Sequence, residues 1–183
     1  DSNGYLVVGG GTAEDNDCCS PAIPNPARPN NVLAPFWTDL DGTGAQGIRI
    51  AVLTDGTNSW IAVEWQVNVF GTTSNRHFQV WIGIDGTEDI TFAYDPAALP
   101  GDTPGQALVV GAENEIGTGG ATITGLPTQD LRVTSSAPTP GGSVSYTVTV
   151  RGRETGDGVV TTEMTTPLVA GVTVVSSHVN VTP

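Results

Sequence analysis

Lysine is absent from this chain: all six basic residues are arginine, at positions 28, 49, 76, 132, 151 and 153. That excludes a Schiff-base lysine, a Ser-Lys dyad, the phosphate-gripping lysine of a P-loop and a Lys–Asn isopeptide cross-link. Charge of either sign is scarce, at 14% of residues against roughly 25% in ordinary globular domains. What charge there is leans acidic, to a net of −13. Such a chain lacks the basic footprint that phosphates need, so no nucleic-acid partner is expected, and anionic membrane surfaces repel it. No apolar run approaches the about 18 residues of a spanning helix, so no membrane insertion is expected, and no secretory leader is recognisable. Cysteine is reduced to one adjacent pair, Cys18-Cys19. Without a third cysteine neither can staple a distant part of the same chain. Two free thiols, a strained vicinal disulfide and bonds to another chain remain open. The abrupt opening at Asp1 suggests a fragment, or a processed product, of something longer.

Polarity comes instead from Thr, Ser and Asn, and turns from 24 Gly and 13 Pro. Apolar and polar residues alternate strictly along Ile61–Asn68 and along His77–Ile84, the period of a strand with one face buried. Nothing competes with it at helical period. The spacing predicts strands at 5–8, 33–37, 47–54, 59–69, 77–84, 89–94, 107–113 and 121–124. Asp41-Gly42, Asp55-Gly56 and Asp85-Gly86 supply hairpin turns. The Pro-, Gly- and Asn-rich residues 9–31 form a long loop lying over the body of the domain, and 95–105 a second loop.

Residues 1–126 are thus expected to form an antiparallel, jelly-roll-like β-sandwich. Beyond a linker at 126–129 the style changes. Strands at 131–134, 143–150, 159–164 and 172–181 suggest a smaller immunoglobulin-like sandwich over 127–183. Four strands fall short of the about seven of a complete one. Sequence outside this one, the first domain or another chain is expected to complete it.

No catalytic constellation is evident. The two histidines, His77 and His178, read as solvent-facing strand residues, and no Gly-x-Ser-x-Gly elbow is present. Glu64, beside Trp65 with Trp60 and Trp81 near in sequence, could serve a sugar site. The expected alternative is a surface carboxylate, with Trp65 in the core and Trp81 facing outward or under a loop. A non-enzymatic protein is expected. Calcium is the candidate cofactor. Asp39 and Asp41 place carboxylates at i and i+2 ahead of small turn residues, as an oxygen-loving cation wants. Acidic clusters also occur at Glu14–Asp17 and Asp85–Asp89, without the EF-hand pattern. The sequon at Asn180 reads as chance.

Several short motifs occur in a familiar order: Ser2-Asn3-Gly4-Tyr5, then Asn30 to Asp41 (NNVLAPFWTDLD), Ile61–Trp65 (IAVEW), Phe78–Val80 (FQV), Asp89–Tyr94 (DITFAY) and Val110–Asn114 (VGAEN). Over residues 2–120 this order resembles a β-rich accessory domain found beside the catalytic domain of secreted bacterial subtilisin-like proteases and in other large surface proteins. Residues 130–183 resemble the front half of an immunoglobulin-like repeat of bacterial surface proteins. The resemblance implies a place outside the cell and a non-catalytic role in adhesion, substrate docking or spacing. It transfers no active-site residue. The implied partners are an extracellular polymer, or further copies of the chain joined through open strand edges. In the second case the protein would be a filament subunit built by strand complementation.

Overall fold

The computed structural model describes residues 1–19, 22–42, 47–84, 86, 89–98 and 107–134, and the backbone of 173–179. Within these, the chain runs β1 (Leu6–Val7), β2 (Val32–Trp37), β3 (Leu40–Asp41), β4 (Gly47–Thr54), β5 (Ser59–Val69), β6 (Asn75–Ile84), β7 (Ile90–Tyr94), β8 (Val109–Glu113), β9 (Gly120–Ile123), β10 (Leu131–Val133) and β11 (Thr173–Val179). Single 3-10 turns lie at Ala13–Asp15 and Pro96–Ala98. The chain is all-β, as the alternation predicts. No helix among the described residues is long and apolar enough to cross a membrane.

The strands form two antiparallel sheets. The smaller has the order β1-β2-β8-β9, the larger β10-β7-β6-β5-β4-β11, with β3 also paired to β5. The β4–β5 hairpin closes where the Asp-Gly signal places it. Asp55 Oδ1 accepts from the backbone N–H of Thr57 and Asn58, and Gly56 takes the left-handed φ of 93° that the turn requires. Two strands from beyond residue 127 join the larger sheet at its edges, β10 against β7 and β11 against β4. The strands expected at 143–150 and 159–164 lie outside the described residues.

The core fills the space between the sheets. Val63, Trp65, Val67, Phe78, Val80 and Phe92 point inward from the larger sheet and meet Leu33, Phe36 and Val110 of the smaller one. Trp65 stacks on Phe78 at 5.2 Å between ring centroids, and Phe36 reaches across from β2 to the same ring at 5.4 Å. The Tyr94 hydroxyl donates to the Pro35 carbonyl at 2.7 Å, a second tie between the sheets. Pro35 has no N–H to give to β8, and the β2–β8 register shifts between Ala34 and Trp37.

All six residues of β2 are buried, because the loop that precedes it covers its other face. Tyr5, Val32, Ala34 and Trp37 form a second cluster there, joined by Ile23. The Tyr5 hydroxyl donates to the Asp15 carbonyl and accepts from the Asp17 N–H, while Trp37 Nε1 donates to the Asp17 carbonyl. The loop lies over the body, as expected.

The larger sheet is buried on its other face as well. Ala51, Leu53, Ala62, Trp81 and Ala93 cluster there with Trp60. Trp65 is core, and Trp81 stands on the face opposite Phe78 and Val80, both as the alternation predicts. Trp81 is only 3% exposed.

Candidate functional site

The second face of the larger sheet holds a buried polar network. In β5 the residues pointing away from the core are Trp60, Ala62, Glu64 and Gln66. Antiparallel register sets Arg49 of β4 and Gln79 of β6 directly opposite Glu64 on its two sides. Arg49 Nη1 stands 2.9 Å from Glu64 Oε2. Gln79 Nε2 donates to Glu64 Oε1 at 2.8 Å, and Trp81 Nε1 donates to Gln79 Oε1 at 2.8 Å. His77, two residues along β6 and on the same face, brings Nε2 to 2.8 Å from Glu64 Oε1, while its Nδ1 lies 3.2 Å from Asp95 Oδ2, just beyond β7.

Two expectations are corrected here. Glu64 is not a surface carboxylate but 2% exposed. His77 is not a solvent-facing strand residue; its side chain is 12% exposed and bridges two carboxylates. The reason is common to both: the face they occupy carries apolar Ala51, Leu53, Ala62 and Ala93, and is buried rather than wet.

The electrostatics follow from the contacts. Burial alone would raise the Glu64 carboxyl, but hydrogen bonds from His77 and Gln79 and the charges of His77 and Arg49 outweigh it and hold the group below its ordinary value. Burial alone would lower the His77 imidazole. Its bonds and charge attraction to Glu64, and then to Asp95, outweigh that and hold it above its ordinary value. Both ring nitrogens face carboxylate oxygens, so the imidazolium, with two N–H donors, is the form that satisfies both.

This arrangement differs from a nucleophilic triad. A triad histidine gives one nitrogen to a carboxylate and the other to a hydroxyl or thiol; here the second nitrogen meets another carboxylate. Nor does Glu64 face a cleft: Oε1 accepts from two donors, Oε2 holds Arg49, and the residue is sealed from water. What the arrangement does chemically is neutralise a buried carboxylate and lock three strands in register.

Asp39 and Asp41 fall elsewhere. Asp41 lies in β3 opposite Asn68. Asp39 precedes it, and its carboxylate is grouped with the sulfurs of Cys18 and Cys19, all within 4.8 Å of one another. Asp41 is not in that group. Of the three states open to the cysteines, the structure has the vicinal disulfide. In the acidic loop, Asp15 caps the 3-10 turn by accepting from the Thr12 N–H at 2.7 Å and meets Arg28 at 3.4 Å. Of the third cluster, Asp89 accepts from Trp60 Nε1 at 3.3 Å, and Asp85, Thr87 and Glu88 lie outside the described residues.

Arg49, Gln79 and Asp95 escaped the sequence reading. A signal for the first exists in β4. Its outward positions, Arg49, Ala51 and Leu53, turn apolar on the face that should be wet, which marks that face as covered. An arginine entering such a face needs a carboxylate, and Glu64 is its register partner.

Fold and site together define an antiparallel β-sandwich whose larger sheet has apolar residues buried on both faces and, on the second, a buried ionic network centred on Glu64. Residues 1–161 match the family described as NIDO related, and the chain belongs to that family. No curated protein and no solved structure matches it.

Proposed function

We propose that this chain is a non-catalytic extracellular module of a secreted or surface-anchored bacterial protein, used for adhesion, substrate docking or spacing. Membership of the NIDO-related family supports an extracellular module. The motifs quoted above support an accessory domain of the kind carried by secreted subtilisin-like proteases. The observation that carries the non-catalytic reading is Glu64. This carboxylate stands amid tryptophans, yet both its oxygens are engaged by the protein itself and no substrate atom can reach it. Retention of the purified chain on a panel of insoluble polysaccharides and proteins tests docking. Binding to one member supports it, and passage through all of them counts against it. Calcium on Asp39 and Asp41 belongs to the same proposal, as a structural ion of the loop edge.

A filament subunit is the second reading, and one strand favours it. Among the described residues β9 is the terminal strand of the smaller sheet, and all four of its residues are exposed. From Ile116 to Gln129 the chain has no charged residue, and Ile116 and Ile123 are 64% and 38% exposed. An uncharged edge without a guarding charge accepts a further strand. On a chain of net charge −13, it is a place where two copies meet without like charges opposed.

A further inference from the structure

Cys18, Cys19 and Asp39 come from two separate stretches of chain, and each stretch is held by bonds that do not involve the sulfurs. On one side Asp17 is fixed by its N–H to the Tyr5 hydroxyl and its carbonyl to Trp37 Nε1, and its Oδ1 accepts from the Cys19 N–H at 3.0 Å. On the other, Asn3 accepts from the backbone N–H of Thr38 and Leu40, and the Asp39 carbonyl accepts from the Phe70 N–H at 3.1 Å. Opening the disulfide therefore leaves both arms in place. Cys19 is exposed and Cys18 and Asp39 half-buried, so a small reductant and an ion can both arrive.

We propose that reduction of the Cys18–Cys19 disulfide turns this corner into a binding site for a thiophilic divalent cation, with two thiolates and the Asp39 carboxylate as ligands. A dithiol reductant attacks one sulfur to form a mixed disulfide. Its second thiolate then closes on the first and leaves as a cyclic disulfide. Two electrons and two protons pass to the protein, and the reagent is oxidised by the same two electrons. The cation displaces the two thiol protons. In the oxidised chain the Asp39 carboxylate already lies within 4.8 Å of both sulfurs. Once reduction frees the sulfurs to part, Zn–S bonds of about 2.3 Å and a Zn–O bond of about 2.0–2.2 Å are within reach, and water completes the shell. Softness selects Zn²⁺ or Cd²⁺ over Ca²⁺ and Mg²⁺, and the net charge of −13 favours any cation. The oxidised chain offers no thiolate, so the site is gated by redox state. Calcium at Asp39 and Asp41 would be an event of the oxidised chain, and the two stand or fall separately.

The test is a titration of the full chain with Cd²⁺ under argon, after reduction with a dithiol and removal of the reagent by gel filtration. The expected result is a sulfur-to-cadmium charge-transfer band that saturates at one equivalent on the reduced chain and is missing from the oxidised chain. Asp39→Asn, checked for an intact fold by near-ultraviolet circular dichroism, should weaken binding about tenfold or more. Binding by the oxidised chain overturns the proposal, as does no band on the reduced chain, loss of the fold on reduction, or unchanged affinity in Asp39→Asn.

Discussion

Arg49 Nη1 and Glu64 Oε2 are 2.9 Å apart on neighbouring strands, with side chains only 5% and 3% exposed. A pair so far from water is worth little as an attraction alone, because desolvation offsets it. Its consequence appears when one partner is removed. Glu64→Gln keeps the shape but removes the buried negative charge that Arg49 and His77 both face. It should cost about 3–5 kcal/mol, measured by urea unfolding.

The same network sets a pH window. The His77 imidazole is held above its ordinary value of 6.5. Its contribution is therefore fully present below pH 6.5 and is lost as pH rises through the folded-state value. The Glu64 carboxyl is held below its ordinary value of 4.5. Its contribution is present above pH 4.5 and is lost as pH falls through the folded-state value. Melting temperature should be highest between these limits. In His77→Gln the fall on the alkaline side should be reduced. Unchanged alkaline behaviour in that variant would detach His77 from the effect.

Gly4 carries a φ of 81°, and a Cβ there would stand 2.1 Å from the Phe36 carbonyl oxygen. Both the left-handed backbone and the close approach require glycine. Gly4→Ala should lower stability by about 1–3 kcal/mol and loosen Tyr5, visible as faster proteolysis of the 9–31 loop.

If calcium binds Asp39 and Asp41, the ion stabilises the folded chain by mass action, by about 2.7 kcal/mol at a hundredfold excess over Kd, and so raises the melting temperature. Calorimetry with calcium and with EDTA should then differ, and Asp41→Asn should remove the difference. Identical transitions in both buffers would remove calcium from the account.

Association through β9 predicts a concentration-dependent species in size-exclusion chromatography that Ile123→Lys abolishes, since an edge lysine blocks strand addition. A monomer at every concentration would leave the filament reading without support.

Much of the sandwich was legible because strand alternation is a property of neighbours in sequence. The parity of Ile61, Val63, Trp65 and Val67 specifies an inward face whatever the partner strand. The site was less legible, because its meaning lies in cross-strand register. Glu64 and His77 look solvent-facing on parity alone. Only the pairing with Arg49 and Ala51 on one side, and with Gln79 and Trp81 on the other, shows their face to be dry. Asp39 likewise looked like half of an oxygen-ligand pair with Asp41, and its grouping with Cys18 and Cys19 arises from a loop that returns over β2.

Glu64→Gln, followed by unfolding and by hydrolase assays against glycan and peptide substrates, addresses the central claim most directly. A structural Glu64 predicts a wild type without turnover and a variant destabilised by about 3–5 kcal/mol. A wild type that turns over substrate, with a variant equally stable but inactive, would contradict it.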